Sequence, residues 1–345
     1  MNDLRVLVID DSAIVREILK TQLSAQPGIR VVATAPDPYV ARNKLESHDI
    51  DVITLDLEMP RMDGLTFLKH LMREFPLPVI VVSSLGDQRE VALACLAAGA
   101  VDLVAKPGGP LSVEGMVADL TTKILACARV HLPRPLGPTP AVGPNLLAST
   151  LTTRHLVVVG ASTGGTQALE ALFRGFPSNF PPVVAVIHMP PGFTKTFAQR
   201  LDTLVPMTVR EAEDGEKLLP GTILIAPGNR HMMIRTVGTD RLVQLSDGPR
   251  VFNQRPSVDI LFESVASRLG RNVTGILLTG MGKDGAQGLR KIRDAGGTTV
   301  AQDEASCVVF GMPKEAIALG AAQSILPLDA IAAWVGKALS QGVPG

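Results

Sequence analysis

Five polar residues in the first half of the chain have side chains suited to phosphoryl chemistry: Asp10, Asp11, Asp56, Ser83 and Lys106. Three carboxylates at one edge of a sheet repel one another unless a cation neutralises them, and hard oxygen ligands with room for water suit Mg²⁺. With Mg²⁺ bound by Asp10, Asp11 and Asp56, the Asp56 carboxylate can act as a nucleophile and form an acyl phosphate. Ser83 and Lys106 would then hold the phosphoryl oxygens. Any one of these residues alone is more often a solvated strand end, but all five together favour a site.

A serine in the second half has the surroundings of a hydrolase nucleophile. Ser162 lies in the segment Gly160-Ala-Ser-Thr-Gly-Gly165, directly after the apolar run 156–159. A serine on a tight strand-to-helix turn with small neighbours matches the nucleophile-elbow pattern. A glycine-rich turn of this kind can also cradle a dinucleotide, which would make the protein an oxidoreductase. Against that alternative, the glycine spacing is not G-x-G-x-x-G, and the next predicted strand ends in His188, where a ribose-binding acid would be expected.

His188 and Asp284 complete a candidate catalytic triad with Ser162. His188 closes the apolar run 183–187, and Asp284 lies in the glycine-rich loop 280–285. Taken singly, a histidine of this kind is more often structural, and an aspartate before a helix is often an N-cap. Together, His188 takes the proton of Ser162, the serine attacks an acyl carbon, and Asp284 orients the imidazole. The order Ser, His, Asp along the chain differs from that of α/β-hydrolases. Backbone N–H groups of the glycine loops are candidates for stabilising an oxyanion.

Two series of alternating strands and helices must position these residues. In the first half, apolar runs separated by helical patterns predict five strands, at 5–9, 30–34, 51–55, 79–82 and 101–105. This alternation predicts a (βα)5 unit with a parallel sheet, whose ligands bind at the carboxyl ends of the strands. The second half predicts a doubly wound, mainly parallel α/β unit. Its predicted strands are 155–159, 183–187, 222–226, 273–279 and 298–302, with a hairpin formed by 232–235 and 242–245.

A proline-rich segment separates the two series. Residues 129–153 contain five prolines, two glycines and no acidic residue, which is typical of an extended, semi-rigid linker. The predicted organisation is therefore one domain at 1–128, a linker at 129–153 and a catalytic domain at 154–345. Residues 1–128 carry a net charge of −5 and residues 129–345 a net charge of +5, so that the two halves attract each other.

The composition excludes several other classes of protein. Of the 345 residues 46% are hydrophobic and only 3% are aromatic, so aliphatic α/β cores are expected. No apolar run of about 20 residues and no basic amino-terminal segment occur, so neither membrane insertion nor a signal peptide is predicted. Three widely spaced cysteines indicate a reduced, cytoplasmic protein. Without a basic cluster no nucleic-acid partner is predicted, and without H-E-x-x-H or paired cysteines no cofactor is predicted for the hydrolase half.

Residues 1–125 resemble a response-regulator receiver domain. The resemblance rests on Asp10-Asp11, Leu55-Asp-Leu-Glu-Met-Pro60, Met62-Asp-Gly64, Ser83 and Lys106-Pro107. It implies that Asp56 accepts a phosphoryl group, supplied by a histidine kinase, beside bound Mg²⁺. Many receivers carry an aromatic switch residue at the position of Leu103, so this chain departs from them in the route by which the signal leaves the site.

Residues 154–340 closely resemble the chemotaxis-specific protein-glutamate methylesterase and glutamine deamidase family. The matching motifs are Gly160–Gly165, His188-Met-Pro190, Ala226-Pro-Gly-Asn-Arg-His231, Arg255-Pro-Ser-Val-Asp259, Thr279-Gly-Met-Gly-Lys-Asp-Gly285, Gln302-Asp-Glu-Ala-Ser306 and Phe310-Gly-Met-Pro-Lys314. The resemblance implies a triad of Ser162, His188 and Asp284, with Thr163 beside the nucleophile and the Met281 N–H in the oxyanion site. The implied substrates are γ-glutamyl methyl esters and some glutamines on the cytoplasmic helices of chemoreceptors. The alternative is a phospho-regulated adaptor whose output domain only binds partners; the intact triad favours the enzyme.

Overall fold

The computed structural model describes residues 3–84, 88–106, 113–128, 130 and 155–341. The chain divides into two compact units, Met1–Arg134 and Pro135–Gly345, and each is described by itself. The predicted linker 129–153 lies outside the described residues except for Val130, and so does Pro107 of the Lys106-Pro107 motif. The domain limits drawn from the sequence therefore stay predictions. Within the described residues, none of the helices has the length and apolarity that crossing a membrane would require.

The first unit is a five-stranded parallel sheet with alternating helices. Its strand order is β2-β1-β3-β4-β5, and every neighbouring pair is parallel. The elements are β1 Leu4–Ile9, α1 Ala13–Ser24, β2 Ile29–Ala35, α2 Pro38–Ser47, β3 Val52–Asp56, α3 Gly64–Glu74, β4 Val79–Ser83, α4 Arg89–Ala97, β5 Asp102–Ala105 and α5 Val113–Cys127.

The sequence of the first unit explains this arrangement. All residues of β3 and β4 are buried, as expected for parallel strands covered by helices on both faces. Helices α1, α2 and α3 begin directly after side chains that accept backbone N–H groups of the first turn, namely Ser12, Asp37 and Asp63. These caps start each helix soon after the preceding strand. The loops that follow β1 and β3 therefore stay at the carboxyl edge of the sheet.

The second unit is a seven-stranded sheet with one added hairpin. The strand order is β14-β13-β12-β6-β7-β9-β8, with parallel pairs throughout, while β10 and β11 pair antiparallel. The elements are β6 Leu156–Ala161, α6 Gly165–Arg174, β7 Val183–Ile187, α7 Phe193–Asp202, β8 Thr208–Glu211, β9 Thr222–Ile225, β10 His231–Val237, β11 Asp240–Ser246, α8 Val258–Leu269, β12 Val273–Leu277, α9 Ala286–Asp294, β13 Thr298–Gln302, α10 Met312–Ala318, β14 Ser324–Leu326 and α11 Leu328–Gln341.

Helix α8 packs closely against the centre of this sheet. The central strands β6, β7 and β12 are buried along their whole length. One apolar core joins these strands to α8, α9 and the hairpin, through residues that include Val158, Met232, Phe262 and Leu289. A Cβ atom on Gly160 would lie 2.3 Å from Val258 Cγ1, so only glycine in β6 lets α8 approach this closely. The start of α8 is thereby held at the carboxyl end of β6.

The fold class predicted from the sequence is confirmed, but two short strands were not predicted. The predicted strands and helices all occur, with ends that differ by a few residues. The sequence prediction lacks β8 Thr208–Glu211 and β14 Ser324–Leu326, which are the two outermost strands of the large sheet. These strands have four and three residues, and neither is a buried apolar run. Edge strands need not be apolar on both faces, so the pattern that reveals a central strand is missing here.

Candidate functional site

Ser162 lies on the turn between β6 and α6. Its backbone N–H donates to the Thr279 carbonyl at 3.0 Å, and its own carbonyl accepts from Gly165 N–H at 2.6 Å. Gly164 has φ +76°, a conformation that favours glycine, and α6 begins immediately after it. A Cβ atom on Gly280 would lie 2.7 Å from Ser162 Cβ, so the loop after β12 runs directly beside the serine. The predicted strand-to-helix turn is present.

His188 is fixed at the end of the neighbouring strand β7. Its backbone N–H donates to the Ala161 carbonyl at 3.2 Å, which ties it to the residue before Ser162. In the side chain, Nε2 lies 2.8 Å from Asp284 Oδ2, and only 5% of the histidine side chain is exposed. The other ring nitrogen, Nδ1, is buried and has no hydrogen-bond partner among the described residues. A buried polar atom without a partner is costly, which marks Nδ1 as an atom available to a reacting group.

Asp284 accepts hydrogen bonds from four donors. His188 Nε2 and Val258 N–H donate to Oδ2, both at 2.8 Å. The Ser257 hydroxyl donates to Oδ1 at 2.8 Å, and Asp259 N–H donates to the same oxygen at 3.0 Å. Two of these donors are backbone groups of the first turn of α8, where the partial positive charge of a helix N-terminus also favours an anion.

This environment determines the ionisation of Asp284 and the tautomer of His188. Burial alone would raise the pKa of Asp284, but the hydrogen bond from His188 and those from the α8 backbone outweigh it and hold the pKa below its ordinary value. An ionised carboxylate can only accept, so His188 Nε2 carries the hydrogen. In a neutral imidazole with its hydrogen on Nε2, Nδ1 is the nitrogen that can accept a proton, as a general base requires.

A second set of hydrogen bonds holds the loops around the serine. Thr279 Oγ1 donates to the Thr163 carbonyl at 3.0 Å, and Thr279 N–H donates to Gln302 Oε1 at 2.8 Å. His231 is buried between two loop segments, with Nδ1 accepting from Ser257 N–H at 3.2 Å and Nε2 donating to the Pro249 carbonyl at 2.9 Å. These hydrogen bonds hold the loops that carry the site.

Ser257, Thr279 and Gln302 contribute to the site although their sequence context predicts no role for them. For Ser257 the sequence does offer one signal. A serine directly before an apolar helical pattern is typical of a helix N-cap. Ser257 Oγ does accept from Ile260 N–H at 3.4 Å, and it also donates to Asp284. Thr279 and Gln302 end apolar strands, and nothing in their spacing distinguishes them from solvated strand ends.

The resemblance implies that Thr163 flanks the nucleophile and that the Met281 N–H joins the oxyanion site, and both roles stay predictions. Gly280 O accepts from Gly311 N–H at 3.1 Å and from Met312 N–H at 2.8 Å. Because the peptide bond is planar and trans, the Met281 N–H points away from that carbonyl. Among the described residues, no group accepts a hydrogen bond from the Met281 N–H. Such a donor is suited to a developing oxyanion.

The first unit gathers its carboxylates at the ends of β1 and β3. The ligand oxygens of Asp10, Asp11 and Asp56 lie within 4.8 Å of one another. Lys106 Nζ lies 3.0 Å from Asp10 Oδ2 and 2.7 Å from Asp56 Oδ2. Asp10 and Asp56 are buried and Asp11 is exposed, which leaves one side open to water. Hard oxygen donors with open positions fit Mg²⁺.

The ionisation of Asp56 reflects this crowding. Burial raises the pKa of Asp56 to about 6, with Lys106 opposing the shift and Asp10 adding to it. A bound cation would favour the ionised form, which is the nucleophilic one. Ser83 is fully buried at the end of β4, and Lys106 N–H donates to its carbonyl at 2.7 Å. The structure therefore brings Lys106 to both buried carboxylates and places Ser83 beside Lys106.

Comparisons with known proteins find relatives of both halves of the chain. The family model described as CheB methylesterase matches residues 157–335, and the response regulator receiver domain model matches residues 6–117. A protein-glutamate methylesterase/protein-glutamine glutaminase of Anaeromyxobacter dehalogenans is 54% identical over 95% of this chain and 93% of its own length. One of Pseudomonas aeruginosa is 50% identical over 95% of each chain. The CheB methylesterase catalytic domain of Thermotoga maritima is 42% identical, with TM-score 0.52, over 53% of this chain and 97% of that one.

Proposed function

The chain belongs to the CheB methylesterase family and carries a response regulator receiver domain before its catalytic domain, and from this we infer which residues carry out its reaction. The protein is a protein-glutamate methylesterase and protein-glutamine glutaminase of chemotaxis, regulated by phosphorylation of the receiver domain. We assign the nucleophile to Ser162, the general base to His188 and the orienting carboxylate to Asp284. The substrates are glutamate methyl esters and glutamines of chemoreceptors.

The geometry supports a two-step acyl transfer. His188 Nδ1 takes the hydroxyl proton as Ser162 Oγ attacks the γ-carbonyl carbon, and Asp284 stabilises the imidazolium through Nε2–H. The developing oxyanion accepts hydrogen bonds from the Met281 N–H and from a backbone N–H of the turn at Thr163. The proton on His188 Nδ1 then passes to the leaving group, which departs as methanol or ammonia. A glutamyl ester of Ser162 remains. Water, deprotonated by His188, hydrolyses this ester and releases a glutamate carboxylate. No step of this scheme uses a cofactor.

One observation carries this assignment. The His188 side chain is buried, with one nitrogen on an ionised carboxylate and the other without a partner in the part of the chain that the structure describes, one strand away from a serine on a tight turn. A structural histidine would have both nitrogens paired, as His231 does. The unpaired nitrogen of His188 is what a general base needs and a structural role does not.

For the receiver domain, we propose Asp56 as the residue that accepts the phosphoryl group from a histidine kinase. Asp10, Asp11 and Asp56 are the residues that would hold Mg²⁺, which when bound neutralises their charge and that of the phosphoryl oxygens. Lys106 pairs with Asp10 and Asp56 in the structure. It can turn its ammonium to a phosphoryl oxygen on Asp56, with the Ser83 hydroxyl as a second donor.

Methanol release from a methylated receptor tests the catalytic assignment. Ser162→Ala should reduce turnover to near background with an unchanged fold, because a triad serine contributes several decades of rate. Ser264→Ala is a matched control, since Ser264 is also half-buried in the same unit but lies on the middle of α8. More than a few per cent of wild-type turnover in Ser162→Ala would refute the nucleophile. Receptor binding without methanol release by the wild type would instead support the adaptor alternative.

A further inference from the structure

A tight turn close to the catalytic pair has a backbone that its sequence does not favour. Val251 and Gln254 pair across the turn, with N–H to carbonyl distances of 3.0 and 2.8 Å in the two directions. The two central residues, Phe252 and Asn253, have φ of 50° and 63°. Two-residue turns with both central residues left-handed prefer asparagine, aspartate and glycine. Asn253 suits its position, whereas a phenylalanine with positive φ is strained.

Neighbouring arginines hold this turn in place. Arg255 Nη1 donates to the carbonyls of Asp247 and Gly248 at 2.8 and 2.9 Å, and Arg255 Nη2 donates to Asn229 Oδ1 at 2.9 Å. Arg250 Nη1 donates to the Asn253 carbonyl at 3.2 Å. Because arginine forks fix the segments on both sides, the turn presents its central residues rigidly.

Phe252 does not repay its strain by packing in a core. Phe252 is 46% exposed, which places it among the exposed large hydrophobic residues of the described chain. A cation lies over its ring: Lys283 Nζ is 4.9 Å from the ring centre. Lys283 directly precedes Asp284, so the ring lies beside the loop that carries the catalytic carboxylate. Strain without a structural benefit is typically retained where a residue has a function.

We propose that Phe252 and Lys283 form a specificity-determining contact with the protein substrate. The ring packs against an apolar side chain next to the reacting glutamyl group on the receptor helix, and the Lys283 ammonium attracts a carboxylate of the same helix. A small ester has neither feature, so this contact selects protein substrates. The inference rests on the proposed function, because it assumes that a receptor helix occupies the site.

The substitution Phe252→Asn separates a role in binding from a role in folding. Asparagine is favoured in the left-handed conformation, so the midpoint of thermal unfolding should stay unchanged or rise. Loss of an aromatic contact from a protein interface should raise KM for a methylated receptor domain about tenfold, with kcat within about twofold of wild type. Both constants would be measured by methanol release with the full-length protein and saturating phosphodonor, over a range of receptor concentrations.

Two further variants complete the experiment. Leu219→Asn replaces a similarly exposed apolar residue, 47% exposed, which lies just before the amino end of β9, and should leave KM unchanged. Lys283→Gln should raise KM and reduce the dependence of kcat/KM on salt, because it removes a screened attraction.

The outcomes distinguish this inference from the proposed function. An unchanged KM in Phe252→Asn, or a loss of kcat alone, would overturn the contact with substrate. A lower midpoint of unfolding would show that the ring supports the fold, and would also overturn it. A wild-type protein that releases no methanol from the receptor would refute the proposed function itself.

Discussion

Replacing Asp284 by asparagine tests the tautomer of His188, on which the catalytic scheme depends. Both carboxylate oxygens accept two hydrogen bonds each. His188 Nε2 and Val258 N–H donate to Oδ2, and the Ser257 hydroxyl and Asp259 N–H donate to Oδ1, at 2.8 to 3.0 Å. An asparagine keeps one carbonyl oxygen and replaces the other by an NH₂ group. Two of the four donors therefore face a donor instead of an acceptor.

The amide orientation determines the effect on the reaction. If its oxygen stays with Ser257 and Asp259, its NH₂ group faces His188 and makes Nε2 the acceptor. The proton then moves to Nδ1, which can no longer take a proton from Ser162. The corresponding change in the serine protease triad lowers kcat about 10⁴-fold, or about 5.5 kcal/mol, and we expect a similar loss here. The Val258 N–H also loses its acceptor, which should cost about 1–3 kcal/mol of folding stability.

Methanol release under saturating receptor gives kcat, and ¹⁵N spectra of the histidine ring report which nitrogen is protonated. Asp259→Asn is the matched control, because Asp259 is a buried neighbour whose Oδ1 accepts from Gly288 N–H at 2.6 Å, away from His188. Burial raises the pKa of Asp259 to about 6, so the buried charge of this carboxylate is unfavourable and a neutral amide relieves that cost. We expect its kcat within about threefold of wild type. A loss below tenfold in Asp284→Asn, or an unchanged ring tautomer, would refute the reasoning.

Asp56→Asn should abolish phosphoryl uptake from a small phosphodonor, and EDTA should abolish uptake by the wild type; uptake that continues in EDTA would exclude the metal role. If the unphosphorylated receiver domain inhibits the catalytic domain, the fragment 150–345 without phosphodonor should release methanol faster than the full-length protein, and equal basal rates would contradict this inhibition. Burial, with a smaller effect of Arg241, lowers the pKa of His155 from 6.5 to about 4. The unfolded chain therefore binds a proton in this window that the folded chain does not, and stability should fall by up to about 3 kcal/mol as the pH decreases from 6.5 to 4. Urea unfolding of His155→Gln should lack this part of the pH dependence, and identical slopes for both proteins would contradict it.

The sequence was sufficient to predict the central strands and the residues at their carboxyl ends. Ser162, His188 and Asp284 follow β6, β7 and β12, which are adjacent in the sheet. Long apolar runs identify such strands, and the parallel sheet then places their ends together. The outer strands β8 and β14 were not predictable in this way, because they are short and only partly buried.

Sequence patterns could not show the details that decide the chemistry. No spacing rule indicates that His188 uses Nε2 for Asp284 and leaves Nδ1 unpaired. That choice depends on the ring orientation, which the surrounding packing sets. Nor does the sequence show that the start of α8 donates to Asp284, since this requires Gly160 to admit α8 against the sheet. The strained Phe252 is likewise visible only in the backbone angles.

Because the proposed triad is widely separated along the chain, enzymatic activity should appear only after the catalytic domain has folded completely. Ser162 and His188 are synthesised well before β12 exists, yet β12 pairs directly with β6, and Asp284 follows it. At a synthesis rate of about 5–20 residues per second, Asp284 emerges on the order of ten seconds after Ser162. During that interval the growing chain carries a serine and a histidine with no carboxylate to orient them. A nascent or truncated chain that lacks β12 and the loop after it should therefore be inert towards receptors, whatever the state of its receiver domain.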